Sequence, residues 1–148
     1  PSHRGVKGTN LIIKKLENIK FHSPKMKINF KIIENVSNSI ILNEIKNYDL
    51  VIDQILVGWY GSLAVEAMSL GVPVMAYLRE EDYKFIPKEM QKDIPIINAN
   101  QNDLDLKIIK FGELNRNEIN DLSERSINYV NKWHSIKYCS NSLKFDLI

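Results

Sequence analysis

Short β-branched apolar runs alternate with segments of helical period along most of the chain, and this alternation restricts the fold more than any other feature. Ile28 to Ile33, Leu50 to Ile52 and Val74 to Tyr77 carry residue types that favour a pleated, buried surface, and Ile94 to Ile97 reads as a further strand. Leu11, Ile12, Leu16 and Ile19 keep helical spacing from Thr9, a candidate N-cap, to about Lys20, and Pro24 ends that segment. Ile40, Ile41, Ile45 and Tyr48 put an apolar face on a helix from about Ser37. Ser62 to Leu70 reads as a buried helix closed by Gly71, and further helices run from about Asn102 to Phe111 and from about Asn115 to Trp133. Beyond Trp133 the pattern fades.

Strands and helices in this alternation predict an α/β domain: a mostly parallel sheet with helices on both faces, spanning residues 1–148 as one unit. In such a sheet ligands bind outside the carboxyl ends of the strands. That edge should gather the Arg4 to Lys7 loop, the Glu34-Asn35 turn, the Gln54 to Gly61 loop and the Arg79 to Asp82 loop.

Composition narrows the function. Twenty Lys and Arg against 18 Asp and Glu leave a formal net charge of +2, which excludes the basic face of a dedicated nucleic-acid binder and directs attention to a basic pocket. Cys139 is the only cysteine, so neither an intrachain disulfide nor a Cys-based zinc site can form, and a reducing, cytoplasmic setting is the default. No apolar run approaches the ~20 residues that span a bilayer, and no signal-peptide pattern opens the chain. The chain begins at Pro1 in a loop-like string, as a piece of a longer protein would.

The densest chemical signal is Gly58 to Met75, G-W-Y-G-S-L-A-V-E-A-M-S-L-G-V-P-V-M. Ser62, Glu66 and Ser69 form one narrow polar stripe on an otherwise apolar helix. Unpaired amides after Gly61, a position without a side chain, could dock a pyrophosphate. Glu66 could accept two hydrogen bonds from a vicinal diol such as a ribose, or it could simply line a solvated stripe. Arg4 and Lys7, flanked by Gly5 and Gly8, could neutralise a diphosphate, or could serve surface solubility; the loop lacks the Walker A spacing. His3 could be a base or a sugar contact, though a structural role is commoner, and His22 and His134 have weaker claims. Tyr77, Arg79, Glu80, Glu81 and Asp82 follow a strand end and could reach a ligand, although an acidic run of this kind is commonly solvated surface. Trp59 and Tyr60 read as partly buried turn residues whose rings could also wall a nucleotide pocket.

The string from Asp53 to Tyr77 resembles the donor-binding signature of glycosyltransferases with two Rossmann-like domains, family four in particular. The opening P-S-H-R-G-V-K-G-T resembles the first loop of that family's C-terminal domain. Arg79-Glu80-Glu81-Asp82 with Phe85-Ile86-Pro87, and Tyr129 to His134, are similar to later parts of it, so the resemblance covers roughly Pro1 to His134. It implies a Rossmann-like C-terminal half of a GT-B fold. Within it, Arg4 and Lys7 would bind the donor diphosphate, with Gly5, Gly58, Gly61, Ser62 and Leu63 lining the donor site. Glu66 would hold the ribose, and the Glu34-Asn35 turn would lie near the base. Many members carry a second Glu eight positions before the ribose-binding one, where this chain has Gly58.

The resemblance further implies transfer of a sugar from a nucleoside-diphosphate sugar, UDP-sugar foremost, to an acceptor hydroxyl with retention of configuration. No metal or other cofactor is called for, since Arg4 and Lys7 supply the compensating charge. The partners would be the nucleotide sugar and an N-terminal acceptor domain, through which the protein could associate with the inner face of a membrane; nucleic acid is not among them. A sugar-nucleotide epimerase domain, or a non-enzymatic nucleotide-binding or interaction module, are the alternatives, the latter favoured by Gly58 and opposed by the joint presence of Arg4, Lys7 and Glu66.

Overall fold

The structure, a computed structural model, describes residues 4–34 and 36–145, with side chains as far as Asn141. His3 and Asn35, both singled out in the sequence, lie outside the described residues. In chain order the elements are α1 (Arg4–Lys7), α2 (Thr9–His22), α3 (Asn38–Ile45), β1 (Val51–Ile52), α4 (Ser62–Ser69) and β2 (Val74–Ala76). A 3-10 turn (Glu80–Phe85) follows, then α5 (Lys88–Asp93), β3 (Ile97–Asn98), α6 (Leu104–Gly112), α7 (Arg116–Trp133) and α8 (Ile136–Phe145).

The strands form one parallel sheet in the order β1-β2-β3, with Val51 opposite Val74 and Met75 opposite Ile97. Side chains alternate across a strand, so β2 feeds two cores. Val74 and Ala76 join Ala64, Ala67 and Met68 of α4 with Tyr129 and Trp133 of α7. Met75 joins Leu16 and Ile19 of α2 with Leu104 and Ile108 of α6. Helices therefore cover both faces of the sheet, as the alternation predicts.

Small residues decide the first core: Ala64 and Ala67 have no exposed surface and bring α4 close to α7. At the end of α4, Gly71 takes φ +73, Val72 N–H donates to Ala67 O at 3.0 Å and Gly71 N–H to Met68 O at 3.0 Å. Those bonds satisfy the orphan carbonyls of a Schellman ending, and an L side chain at Gly71 would be strained. The helix beginning after Asn115 has an equally local cause. Asn115 Oδ1 accepts from Asn117 and Glu118 N–H, and Glu118 reaches back to Asn115 N–H in a capping box.

Four local expectations are corrected. Gly8, not Thr9, stands at the N-cap of α2, and Thr9 is its buried first residue. The Arg4 to Lys7 segment is a helical turn and not a loop. Ile28 to Ile33 pairs with no strand: Met26, Ile28 and Phe30 pack on the α2–α6 core, while Lys31 bonds Glu44 at 2.7 Å and Glu34 holds Arg4. Side chains anchor this segment where a backbone ladder was expected. The strand placed at Ile94 to Ile97 begins only at Ile97, because Pro95 has no N–H to give a ladder. The described sheet thus has three strands. The sequence pattern also missed α5 and α8.

Among the described residues no helix is long and apolar enough to cross a membrane. At the far side of α4, Tyr60 Oη lies 2.8 Å from Tyr129 Oη and 3.1 Å from His134 Nε2. Asp93 on α5 accepts from Lys132 Nζ at 2.7 Å and Trp133 Nε1 at 2.8 Å, tying α5 to α7. Burial holds the His134 imidazole below its ordinary pKa, so the fold favours the neutral ring. The resulting stability is complete above the unfolded value of about 6.5 and is lost as pH falls below it. Urea midpoints should therefore drop between about pH 7.5 and about pH 5.5, and drop less in His134→Gln. Identical slopes in the two proteins would refute the assignment.

Candidate functional site

The expected ligand edge is assembled by three links beyond the ends of β1 and β2. The first is the backbone bond from Ile55 N–H to Lys7 O at 3.0 Å, which fastens α1 to the loop after β1. Gly8 makes this approach close: a Cβ there would lie 3.0 Å from Leu56 Cγ. The second link is Arg4, whose guanidinium engages both oxygens of Glu34, with Nε to Oε1 at 2.7 Å. The hydrogen bond and the charge of its partner raise the Arg4 pKa, and the hydrogen bond from Arg4 leads in lowering that of Glu34.

The third link joins the β1–α4 loop to the segment after β2. Arg79 N–H donates to Gly58 O at 2.8 Å, and Arg79 Nη2 donates to Val57 O at 3.2 Å. Arg79 Nε also lies 3.6 Å from Asp82 Oδ2. Gly58 takes φ +90, and a Cβ there would lie 2.8 Å from Arg79 Nη2. A side chain at position 58 would thus meet the Arg79 guanidinium. The acidic run after Arg79 is solvated as expected, with Glu80 and Glu81 exposed, while Arg79, itself exposed, also clamps the loop.

Inside the loop, buried Asp53 closes the turn by accepting Gly61 N–H on Oδ2 at 3.0 Å. Gln54 donates from Nε2 to Trp59 O, and its carbonyl accepts Tyr77 N–H at 3.0 Å. The Gly61 amide expected to meet a pyrophosphate is therefore already committed to Asp53. Ser62 and Leu63 N–H, the first two of α4, have no partner among the described residues. A helix start leaves such donors open unless a cap supplies them.

Glu66 sits one turn further along α4, half-buried between exposed Ser62 and Ser69, and its carboxylate has no partner among the described residues. Lys7 is half-exposed, and its ammonium likewise meets no partner among them. Gly5 faces open space. Lys7, Ser62, Leu63 and Glu66 thus keep free polar groups, whereas Arg4, Glu34, Gly58 and Gly61 are engaged with the protein itself. Trp59 and Tyr60 belong to the core, stacked at 5.3 Å with the Tyr60 hydroxyl turned to Tyr129. His22 Nδ1 lies 2.9 Å from Asn18 O, an interaction within its own helix.

One cleft of about 220 Å3 opens at this edge, lined by Ile55, Leu56, Tyr77, Asn100, Gln101 and Asn102. It draws on the segments that follow all three strands. Sequence reasoning passed over Asn100 to Asn102, although the run N-A-N-Q-N after an apolar segment sits where the strand-end rule places ligand loops. A larger concavity of about 470 Å3 lies along the first half of α7, away from the strand ends, where Arg125 and Asp121 pair at 3.7 Å.

No protein-family model, curated protein or solved structure matches this chain.

The Gly58 geometry makes a direct test. Gly58→Ala should cost about 1–2 kcal/mol in urea unfolding, because a left-handed φ strains any L side chain. Adding Arg79→Ala should not restore the loss, since it removes the contact but leaves the backbone angle. Full recovery in the double variant would show that crowding alone reserves the position for Gly.

Proposed function

We propose that the chain is the donor-binding domain of a glycosyltransferase, a Rossmann-like half of a GT-B fold that takes a nucleoside-diphosphate sugar. The observation that carries this reading is the Lys7–Ile55 link, which fixes the Lys7 backbone beside the loop that follows β1, with an ammonium that has no partner among the described residues. The Ser62 and Leu63 amides and the Glu66 carboxylate on α4, which have no partner among the described residues, support it further.

In the reaction, an acceptor hydroxyl oxygen attacks the anomeric carbon, and the bond from that carbon to the diphosphate breaks. The diphosphate leaves with the electron pair. The hydroxyl proton passes to a base or to solvent on the acceptor side, which another domain would supply. Lys7, with Arg4 once it turns from Glu34, would stabilise charge growing on the leaving oxygen. Glu66, an acceptor-only group when ionised, would hold the ribose hydroxyls. UDP is the proposed nucleotide. The resemblance favours retention of configuration and no metal.

A second reading, a nucleotide-binding module without transfer, is favoured by the Gly61 amide bound to Asp53 and Arg4 bound to Glu34. Both readings require nucleotide binding. Calorimetric titration with UDP, GDP and ADP, without and with magnesium, should give saturable binding with one base preferred. Lys7→Ala should weaken UDP about tenfold while sparing uridine, because it removes one charge-assisted contact to phosphate. Glu66→Ala should weaken both ligands alike. Equal losses for UDP and uridine in Lys7→Ala would overturn the role given to Lys7. Donor turnover by the protein joined to its acceptor domain separates transferase from module.

A further inference from the structure

The Glu34 carboxylate is held on both oxygens by Arg4, would open to a base only once Arg4 turns to the diphosphate, and would then offer acceptors alone. The cleft at the strand ends offers a better chemical match. Its lining of Ile55, Leu56, Tyr77, Asn100, Gln101 and Asn102 contains no ionised side chain, so a phosphate finds nothing there to neutralise it. Two apolar side chains and one aromatic ring instead suit a flat, uncharged heterocycle. At about 220 Å3 the cleft falls below the range of pockets that enclose a whole ligand, and matches a single ring with the remainder outside.

The polar groups in it are carboxamides. Gln101 and Asn102 are exposed, and their side chains have no partner among the described residues. Asn100 Oδ1 accepts Asn102 N–H at 2.8 Å, which fixes that side chain and leaves its Nδ2 donors for another group. A carboxamide presents a donor and an acceptor side by side, as the edge of a uracil or cytosine ring does, whereas a carboxylate offers acceptors alone. Ile55, which lines the cleft, is also the residue bonded to Lys7 O. A ring in the cleft would thus lie on the same rim as the Lys7 backbone, whose side chain has no partner among the described residues.

We infer that this cleft is the base-recognition pocket of the domain, with the Asn100, Gln101 and Asn102 carboxamides reading the edge of a pyrimidine and the Tyr77 ring against its face. The inference rests on the nucleotide-binding reading above and adds the place and residues of base selection. It is tested by titrating the full chain with UDP, ADP and inorganic pyrophosphate. The variants are the double substitution Gln101→Ala with Asn102→Ala, and Tyr77→Leu.

The double variant touches only exposed side chains, and its urea midpoint should equal that of the parent. It should lower UDP affinity about tenfold, the loss of one or two ligand hydrogen bonds, while leaving pyrophosphate affinity unchanged. The preference for UDP over ADP should shrink with it, and Tyr77→Leu should weaken UDP but not pyrophosphate. UDP binding of parent strength and base preference in the double variant overturns the pocket and leaves the nucleotide reading standing. Absence of binding of any nucleotide by the parent overturns both. Equal losses for UDP and pyrophosphate place those carboxamides at the phosphates and overturn the base assignment.

Discussion

Everything in this molecule is arranged around β2, whose three residues have no exposed surface. Backbone N–H and C=O groups withdrawn from water must be paired, so a strand buried on every side needs a neighbour on each edge and a cover on each face. β1 and β3 supply the edges, and the two helical layers supply the covers. The pairing does not stop where the regular strands do. Asp53 N–H donates to Met75 O, Tyr77 N–H to Gln54 O and Ala99 N–H to Ala76 O, each at 3.0 Å. Asn98 continues the pattern with its side chain, giving Nδ2 to Leu78 O at 3.0 Å and accepting Leu78 N–H at 2.9 Å. Loops at the carboxyl edge are thus fixed by the same requirement that fixes the sheet, and a rim built on them is held in place before any ligand arrives.

Three cations stand on that rim, and the protein uses them differently. Arg79 and Arg4 each meet carboxylates or carbonyls through the planar fork that suits fixed, two-pronged contacts. Lys7 carries a compact charge on a flexible stem and is left without a partner among the described residues. The Arg4–Glu34 pair is exposed, and exposed ion pairs in water are weak. A doubly charged phosphate group can compete with Glu34 for Arg4, whereas Arg79 is also tied down by the backbone at Gly58 and Val57. On the proposed reading, Lys7 and, once released from Glu34, Arg4 would be the cations that meet a ligand, whereas Arg79 belongs to the scaffold.

The parts of the fold that the sequence displayed are those whose signals are local. The Gly71 ending, the helix start near Asn115 and the apolar face containing Ala64, Ala67 and Met68 need no knowledge of distant contacts, and all three occur where the pattern puts them. Ile28 to Ile33 failed because alternating apolar residues look the same in a paired strand and in a segment pinned by Met26, Ile28 and Phe30 on a core. Much of the site was hidden for a related reason. A helix start after Gly61 is visible in the chain, but the return of the Asp53 carboxylate onto its amide is a tertiary event, as is the seating of Arg79 over Gly58. The carboxamide run at Asn100 to Asn102 was visible and drew no attention, since uncharged side chains after a strand carry no motif of their own.

Asp53 also shifts the electrostatic balance of the site. Its Oδ1 is buried with no hydrogen-bond partner among the described residues while Oδ2 takes Gly61 N–H, so the carboxylate draws on the positive end of α4 for part of its stabilisation. That same end is the usual attraction for a phosphate at a helix N-terminus. A fixed negative charge beside Gly61 offsets the field that an incoming anion would feel, even though the Ser62 and Leu63 amides stay open. On the proposed reading, phosphate affinity would then lean on Lys7 more heavily than a bare helix terminus would require. On the same reading, contacts from the uncharged lining of the cleft to an uncharged ring would add affinity without adding repulsion from Asp53.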